Sequence, residues 1–144
     1  MSVSVLCAVD ISNRDQDVGV LRQAARMADL DSARLDVMTV LPDFGETWVS
    51  GFFEKDHHDK AIEAAHAQLV RLCTETLGEE RNASIRHVVA TGTAYKEILK
   101  VADAARSDLI VVGAHKPDLR DYLLGPNASR VVRHAPVSVF VVRG

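Results

Sequence analysis

Residues 109 to 134 read Leu109-Ile-Val-Val-Gly-Ala-His-Lys-Pro-Asp-Leu-Arg-Asp-Tyr-Leu-Leu-Gly-Pro-Asn-Ala-Ser-Arg-Val-Val-Arg-His134. The apolar run from Leu109 to Val112 is typical of a buried strand, and it leads into Gly113. A polar loop follows, and Gly125 opens a predicted helix. A glycine after a strand lets backbone approach a ligand, and a helix start presents N–H groups without intrahelical partners. Together they could hold a phosphate chain, or they could only turn the backbone and cap a helix.

Strands and helices alternate through the rest of the chain. Helical spacing is clear from Val18 to Ala28, and the segment Pro42–His58, which has no clear period, is interpreted as a long loop with room for a helical turn. Gly78 is well placed to end a helix. Predicted strands are Ser4–Val9, Leu35–Leu41, Ile85–Ala90, Leu109–Val112 and Val137–Val142, and further predicted helices are Lys60–Leu77, Ala94–Arg106 and Pro126–His134.

This alternation predicts an α/β fold, a single domain over residues 1–144 with a parallel sheet between two layers of helices. Ligands of such sheets bind beyond the carboxyl ends of the strands, where the winding of the chain reverses. The first and fourth predicted strands end near Asp10 and Gly113. These residues and Gly125 share one crevice if the two strands are neighbours, which the pattern alone leaves open.

The composition excludes several classes of protein. With 144 residues and a net charge of −3, the chain gives no overall reason to expect nucleic acid or membrane as a partner. Neither a signal peptide nor a membrane-spanning run is evident, and Cys7 and Cys73 are predicted to be core thiols, so we expect a cytoplasmic protein. From Gly113 onward five Lys or Arg stand against two Asp, a local bias that favours an anion.

Further motifs extend over nearly the whole chain. They are Val9-Asp10, Thr39-Val40, Gly92, Asp108–Gly113, Leu123–Gly125 and Val131–Pro136. This assembly resembles the universal stress protein family, and His115-Lys-Pro-Asp with Tyr122–Gly125 resembles its F/G-type subgroup. The resemblance implies a doubly wound, adenine nucleotide alpha hydrolase-like domain with five parallel strands in the order 3-2-1-4-5. It also implies a homodimer formed along the last strand.

Many members of that family bind ATP, and the resemblance implies where this chain would do so. Ala8, Val9 and Asp10 would line the adenosine side, and the Asp10 carboxylate would accept hydrogen bonds from the ribose. The alternative for Asp10 is an Asx turn that caps the first helix. Val40 would meet the adenine edge or simply pack in its strand. The residues expected around the phosphates are Gly113, His115, Lys116, Gly125, Pro126, Asn127 and Ala128.

The phosphate motif departs from the family pattern Gly-x2-Gly-x9-Gly-Ser/Thr in three ways. Lys116 replaces the second glycine, the following spacer is one residue short, and Pro126 occupies the Ser/Thr position. The first two departures are shared by the F/G-type pattern. Pro126 offers a phosphate neither an N–H nor a hydroxyl, although it suits the first position of a helix. Each lost bond to a charged group is worth about 1.5–3 kcal/mol, so Pro126 is expected to weaken nucleotide binding.

The sequence therefore predicts a stress-response regulatory protein that binds ATP, with or without Mg²⁺, or a related adenine nucleotide. A high-turnover enzyme is not expected, because no base that could activate water is evident near the phosphate motif. No metal site is predicted in the protein itself. Two alternatives stay open. One is a slow ATPase, and the other is a nucleotide-independent module whose aromatic segment, Trp48–Phe53, contacts an unknown protein partner.

Overall fold

The computed structural model describes residues 3–11, 14–42, 51–114 and 126–143, with the side chains of 14–15 and 51–56 outside that description. Within these ranges five strands alternate with helices. The strands are β1 (Ser4–Ala8), β2 (Arg34–Leu41), β3 (Arg86–Thr91), β4 (Leu109–Gly113) and β5 (Ser138–Val142). The helices are α1 (Arg14–Leu30), α2 (Gly51–Leu77), α3 (Glu79–Ala83), α4 (Ala94–Ala104) and α5 (Pro126–His134).

The strands of the described residues form one parallel sheet in the order β3-β2-β1-β4-β5. Cys7 in the central strand pairs with Val37 of β2 on one side and with Val111 of β4 on the other. The chain winds from β1 toward β3 and then returns to β4, so the winding reverses between β1 and β4. This confirms the strand order that the resemblance implies, and it makes the ends of the first and fourth strands neighbours.

Both faces of the sheet are covered, because successive side chains of a strand point to opposite faces. In β1, Val5 and Cys7 pack with α1 and α2, whereas Leu6 packs with α4 and α5. Helix α1 contributes its predicted stripe, of which Leu21 and Ala28 are fully buried. Two helical layers around one sheet give the predicted three-layer, doubly wound sandwich.

Two segments differ from the sequence prediction. Helix α2 begins at Gly51, so the predicted loop Pro42–His58 is wrong from residue 51 onward, while 43–50 lie outside the described residues. The polar run Asp56-His-His-Asp-Lys60 has no apolar stripe and hides the helical period. Helix α3 was not predicted, since it is one short turn without a buried residue. Gly78, with φ of 96°, separates α2 from α3 as expected.

The described parts of the chain contain no helix that is both long and apolar enough to span a bilayer. Cys7 and Cys73 are buried free thiols, which confirms their predicted place in the core.

Candidate functional site

A cavity of about 470 Å³ opens at the carboxyl ends of β1, β2 and β4, and we call it the strand-end pocket. Helix α1 contributes Asp17 and Val20 to its wall, and α4 contributes Ala94 and Ile98. Parallel strands place their carboxyl ends at one edge of the sheet, and the reversal of winding between β1 and β4 keeps a connecting helix from closing this edge. The pocket is therefore a direct consequence of the strand order.

The structure brings most of the predicted site residues together around this pocket. Those that line it are Ala8, Val9, Asp10, Val40, Gly113, Asn127 and Ala128. Pro126 is the first residue of α5, and its side chain is exposed beside the pocket wall. His115, Lys116 and Gly125 lie outside the described residues, as does Trp48 of the aromatic segment. Participation of all these residues in ligand binding stays a prediction.

The ends of β1 and β2 are fastened to each other at the pocket floor. The backbone N–H of Val9 donates to the carbonyl of Met38 at 2.9 Å, which extends the strand pairing beyond β1. The buried hydroxyl of Thr39 donates to the carbonyl of Val9 at 2.8 Å. These bonds occupy both polar backbone groups of Val9 and fix where the chain leaves the sheet toward Asp10.

Gly113 has a packing role that the sequence did not indicate. It is the last residue of β4 and pairs with Val142, so it does not turn the chain. A Cβ atom at this position would lie 2.9 Å from Cγ2 of Val20 on α1, closer than Cβ contacts in proteins allow. Val20 is 4% exposed and has little room to move. The glycine thus lets α1 approach the sheet closely beside the pocket.

The start of α5 supplies the polar end of the pocket. Helix α5 begins at Pro126, as predicted, and Asn127 and Ala128 belong to its first turn. N–H groups of a first turn have no acceptor within their own helix. The positive end of the helix dipole adds to their attraction for an anion. This wall of the pocket therefore suits negative charge, whereas the opposite wall carries carboxylates.

Asp17 is the main site residue that sequence reasoning missed. It is 3% exposed, and its Oδ1 accepts a hydrogen bond of 2.9 Å from the backbone N–H of Asp10. Its Oδ2 is buried without a hydrogen-bond partner among the described residues. Burial raises the pKa of this carboxyl from 3.8 to about 7; the hydrogen bond from Asp10 lowers the pKa, and the negative charge of Asp10 raises it.

A signal for Asp17 was nevertheless present in the sequence. It stands four residues before Leu21 and seven before Ala24, on the stripe that α1 turns to the core. A charged residue on an apolar stripe is uncommon in a helix and marks a position with a special environment. Asp17 also lines a second, smaller cavity of about 200 Å³, together with Ile11 and with Arg71 of α2. Asp17 therefore borders both cavities.

The chain is similar to known proteins over almost its whole length. A profile described as the universal stress protein family matches residues 1–143. The chain belongs to the universal stress protein family. Universal stress protein G of Shigella flexneri is 27% identical over 149 residues, which cover 99% of this chain and 100% of that protein. This relative fits the F/G-type subgroup predicted from the sequence.

Solved universal stress proteins share the architecture. The UspA protein of Lactobacillus plantarum superimposes with a TM-score of 0.71 at 22% identity, covering 98% of this chain and 97% of its own. A universal stress protein solved in complex with cAMP superimposes with a TM-score of 0.69 at 20% identity, covering 97% of this chain and 96% of its own. The universal stress protein of Archaeoglobus fulgidus in complex with dAMP superimposes with a TM-score of 0.60 at 21% identity, covering 96% of each chain. At these identities the similarity establishes a common fold.

Proposed function

We propose that the strand-end pocket binds an adenine nucleotide and that the protein is a single-domain regulatory module of the stress response. One observation carries the proposal: the end of β1, the end of β4 and the start of α5 converge on one cavity, as the family motifs predict. Its volume of about 470 Å³ suits a mononucleotide. Two universal stress proteins of the same fold were solved with cAMP and with dAMP, which supports this class of ligand.

The two ends of the pocket suggest the orientation of the ligand. Apolar side chains, among them Ile98 and Val112, would contact the base, and the backbone of Val40 would meet the adenine edge. The exposed Asp10 carboxylate would accept hydrogen bonds from ribose hydroxyls. Phosphate would then lie against the first turn of α5, next to Asn127. In this orientation the phosphate shares the cavity with the carboxylates of Asp10 and Asp17 but does not contact them.

ATP is the finer form of the proposal. Its additional phosphates would be bound by Lys116 and Gly125, the residues that the sequence motif predicts for this role, and a Mg²⁺ ion would be held mainly by the phosphate oxygens. Pro126 provides no N–H at the helix start. We therefore propose that ATP gains less from its second and third phosphates here than it would in a chain with serine at this position.

We also propose that the protein forms a homodimer along β5. Strand β5 is an edge of the described sheet, and its residues Val139 to Val142 are only half-buried. An edge strand with apolar side chains is a template for pairing with a second copy. Sedimentation equilibrium should give twice the mass of one chain, and a mass of one chain at all concentrations would refute the dimer without affecting the nucleotide proposal.

The proposed function is tested by calorimetric titration with ATP, AMP and cAMP, with GTP as the control for the base. We expect adenine nucleotides to bind at least about tenfold more tightly than GTP, because base recognition here rests on hydrogen bonds to the adenine edge. Asp10→Ala should weaken all three adenine ligands by about tenfold. Asp31→Ala, an exposed position in the turn after α1, is the matched control. Absence of heat with every adenine nucleotide up to millimolar concentration would refute the proposal.

A further inference from the structure

The charges around Asp17 are arranged asymmetrically. Asp10, on the loop after β1, contributes the nearest negative charge, and its backbone N–H is the donor to Asp17 Oδ1. Burial raises the pKa of the Cys7 thiol on β1, and the charges of Cys73 on α2 and, least of the three, of Asp17 also raise it, so Cys7 lies close to Asp17. Arg71 of α2 lines the smaller cavity together with Asp17 and is itself exposed. Inside the strand-end pocket, the described charges near Asp17 are therefore negative.

An anionic ligand in this pocket changes the electrostatic environment of the Asp17 carboxyl. Asp17 and the start of α5 line the same cavity, so a phosphate bound at α5 adds negative charge within it. Added negative charge disfavours the ionised form of a carboxyl group, and the low polarity of a partly buried site strengthens this effect. Thermodynamic linkage is reciprocal: if the anion favours the proton on Asp17, the proton favours the anion by the same factor.

We propose that Asp17 takes up a proton when the strand-end pocket binds an anionic nucleotide, so that nucleotide affinity falls as the pH rises through neutrality. The proposal rests on the proposed function. Oδ2, which has no partner among the described residues, is the atom that would carry the proton. Oδ1 keeps its hydrogen bond from the Asp10 N–H whether or not Asp17 is protonated, so the loop after β1 stays attached to α1.

The position of the transition follows from the state of the protein without ligand. Burial raises the pKa of Asp17 to about 7, so the carboxyl is half-protonated near neutral pH before any nucleotide arrives. A phosphate bound in the same cavity raises the pKa of Asp17 further, so the protonated fraction of Asp17 increases on binding. His87 is the described histidine whose pKa burial lowers, but it lies on β3 beside His66 and does not line the pocket. No described histidine lines the pocket, so among the described lining residues the proton uptake is assigned to Asp17, and the Asp17→Asn variant separates it from uptake at His115.

The test uses cAMP, because its phosphodiester keeps a single negative charge throughout the neutral range, unlike the terminal phosphates of AMP and ATP. Calorimetric titrations are made at about pH 6 and pH 8.5, and at pH 7 in two buffers with different ionisation enthalpies. We expect wild-type protein to bind cAMP about fivefold to tenfold more weakly at the higher pH and to take up a fraction of a proton at pH 7. Adenosine, which is uncharged, should show little of either effect.

Asp17→Asn keeps an acceptor for the Asp10 N–H but cannot titrate. We expect this variant to bind cAMP with the same affinity at both pH values and without proton uptake. Asp103→Asn, which removes a carboxylate from the exposed surface of α4, is the matched control and should behave as wild type. Wild-type binding without pH dependence or proton uptake would overturn the inference and leave the nucleotide function standing. An unchanged pH dependence in Asp17→Asn would overturn it too.

If cAMP fails to bind at any pH, the proposed function falls and this inference falls with it. A second measurement covers the case in which Asp17→Asn does not fold. Carbon NMR of the wild-type Asp17 carboxyl should show a titration midpoint near neutrality that moves upward when cAMP is added. A midpoint that does not move at saturating cAMP would overturn the inference.

Discussion

At the scale of single residues, burial of Asp17 has a cost that depends on pH. The unfolded chain loses this proton near pH 3.8, whereas the folded chain keeps it until about pH 7. Between these values the folded state binds more protons than the unfolded state, so the free energy of unfolding decreases as the pH rises. We expect this group to lower the free energy of unfolding of the wild-type protein by about 2–3 kcal/mol between pH 5 and pH 8.

Urea denaturation of the ligand-free protein across this range checks the prediction. Asp17→Asn should lack this part of the pH dependence and should be more stable than wild type at pH 8, by about 1 kcal/mol, because it buries no charge. Asp103→Asn should keep the slope of wild type. Equal slopes for Asp17→Asn and wild type would show that Asp17 ionises normally in the folded protein.

The contact between Gly113 and Val20 gives a second prediction. Gly113→Ala forces the new methyl group against Cγ2 of Val20, and such overpacking costs about 1–3 kcal/mol. Adding Val20→Ala removes the clash, so the double variant should be destabilised by less than the sum of the two single variants. Urea denaturation of wild type, the two single variants and the double variant gives the four free energies of a double-mutant cycle. Additivity to within about 0.5 kcal/mol would mean that the two residues do not limit each other.

At the scale of elements, the hydroxyl of Thr39 joins β2 to the end of β1. Thr39→Val keeps the shape of the side chain but leaves the carbonyl of Val9 without this buried donor. We expect a loss of about 1–2 kcal/mol in the free energy of unfolding, together with weaker cAMP binding, because Asp10 follows directly. Thr93→Val is the control, since Thr93 is exposed and its side chain makes no capping hydrogen bond to α4. Equal stability of the two variants would contradict this role for Thr39.

The first residue of α5 provides a prediction on ligand affinity. Pro126→Ser restores an N–H and a hydroxyl at the helix start, so ATP should bind at least about tenfold more tightly for one bond gained to a charged group. The gain for cAMP should be smaller, because it has fewer phosphate oxygens to contact. Unchanged or weaker ATP binding, measured by calorimetry, would contradict the view that the proline limits the site.

At the scale of the whole molecule, the pocket is built from elements that meet only in the folded state. A ligand of this pocket should therefore stabilise the entire domain, by about 2.7 kcal/mol at one hundred times its dissociation constant. For a chain of this length that corresponds to a rise in Tm of about 7–11 °C. Differential scanning calorimetry with cAMP should show this rise at pH 6 and a smaller one at pH 8.5 for the same cAMP concentration. No rise at saturation would contradict nucleotide binding to the folded state.

Local sequence pattern predicted the elements whose stability comes from one regular face. The stripe of α1, the buried strands around Cys7 and the start of α5 at Pro126 all follow from spacing, caps and β-branched runs. The start of α2 could not be predicted from the sequence pattern, because its first turns have no apolar stripe. The strand order came from the motif resemblance, since hydrophobic alternation is the same for any arrangement of parallel strands.

By itself, the sequence determined the α/β class, the family and the residues that gather at the ends of β1 and β4. Only the tertiary structure decided that Gly113 is needed for Val20 and that Asp17, a helix residue on the core stripe, borders the pocket. The physical reason is that spacing is a local property of the chain, whereas these contacts join elements that are distant in sequence. Spacing along a chain records which face of an element is buried, whereas a close approach between α1 and β4, or a carboxyl group without a second partner, depends on what that face meets.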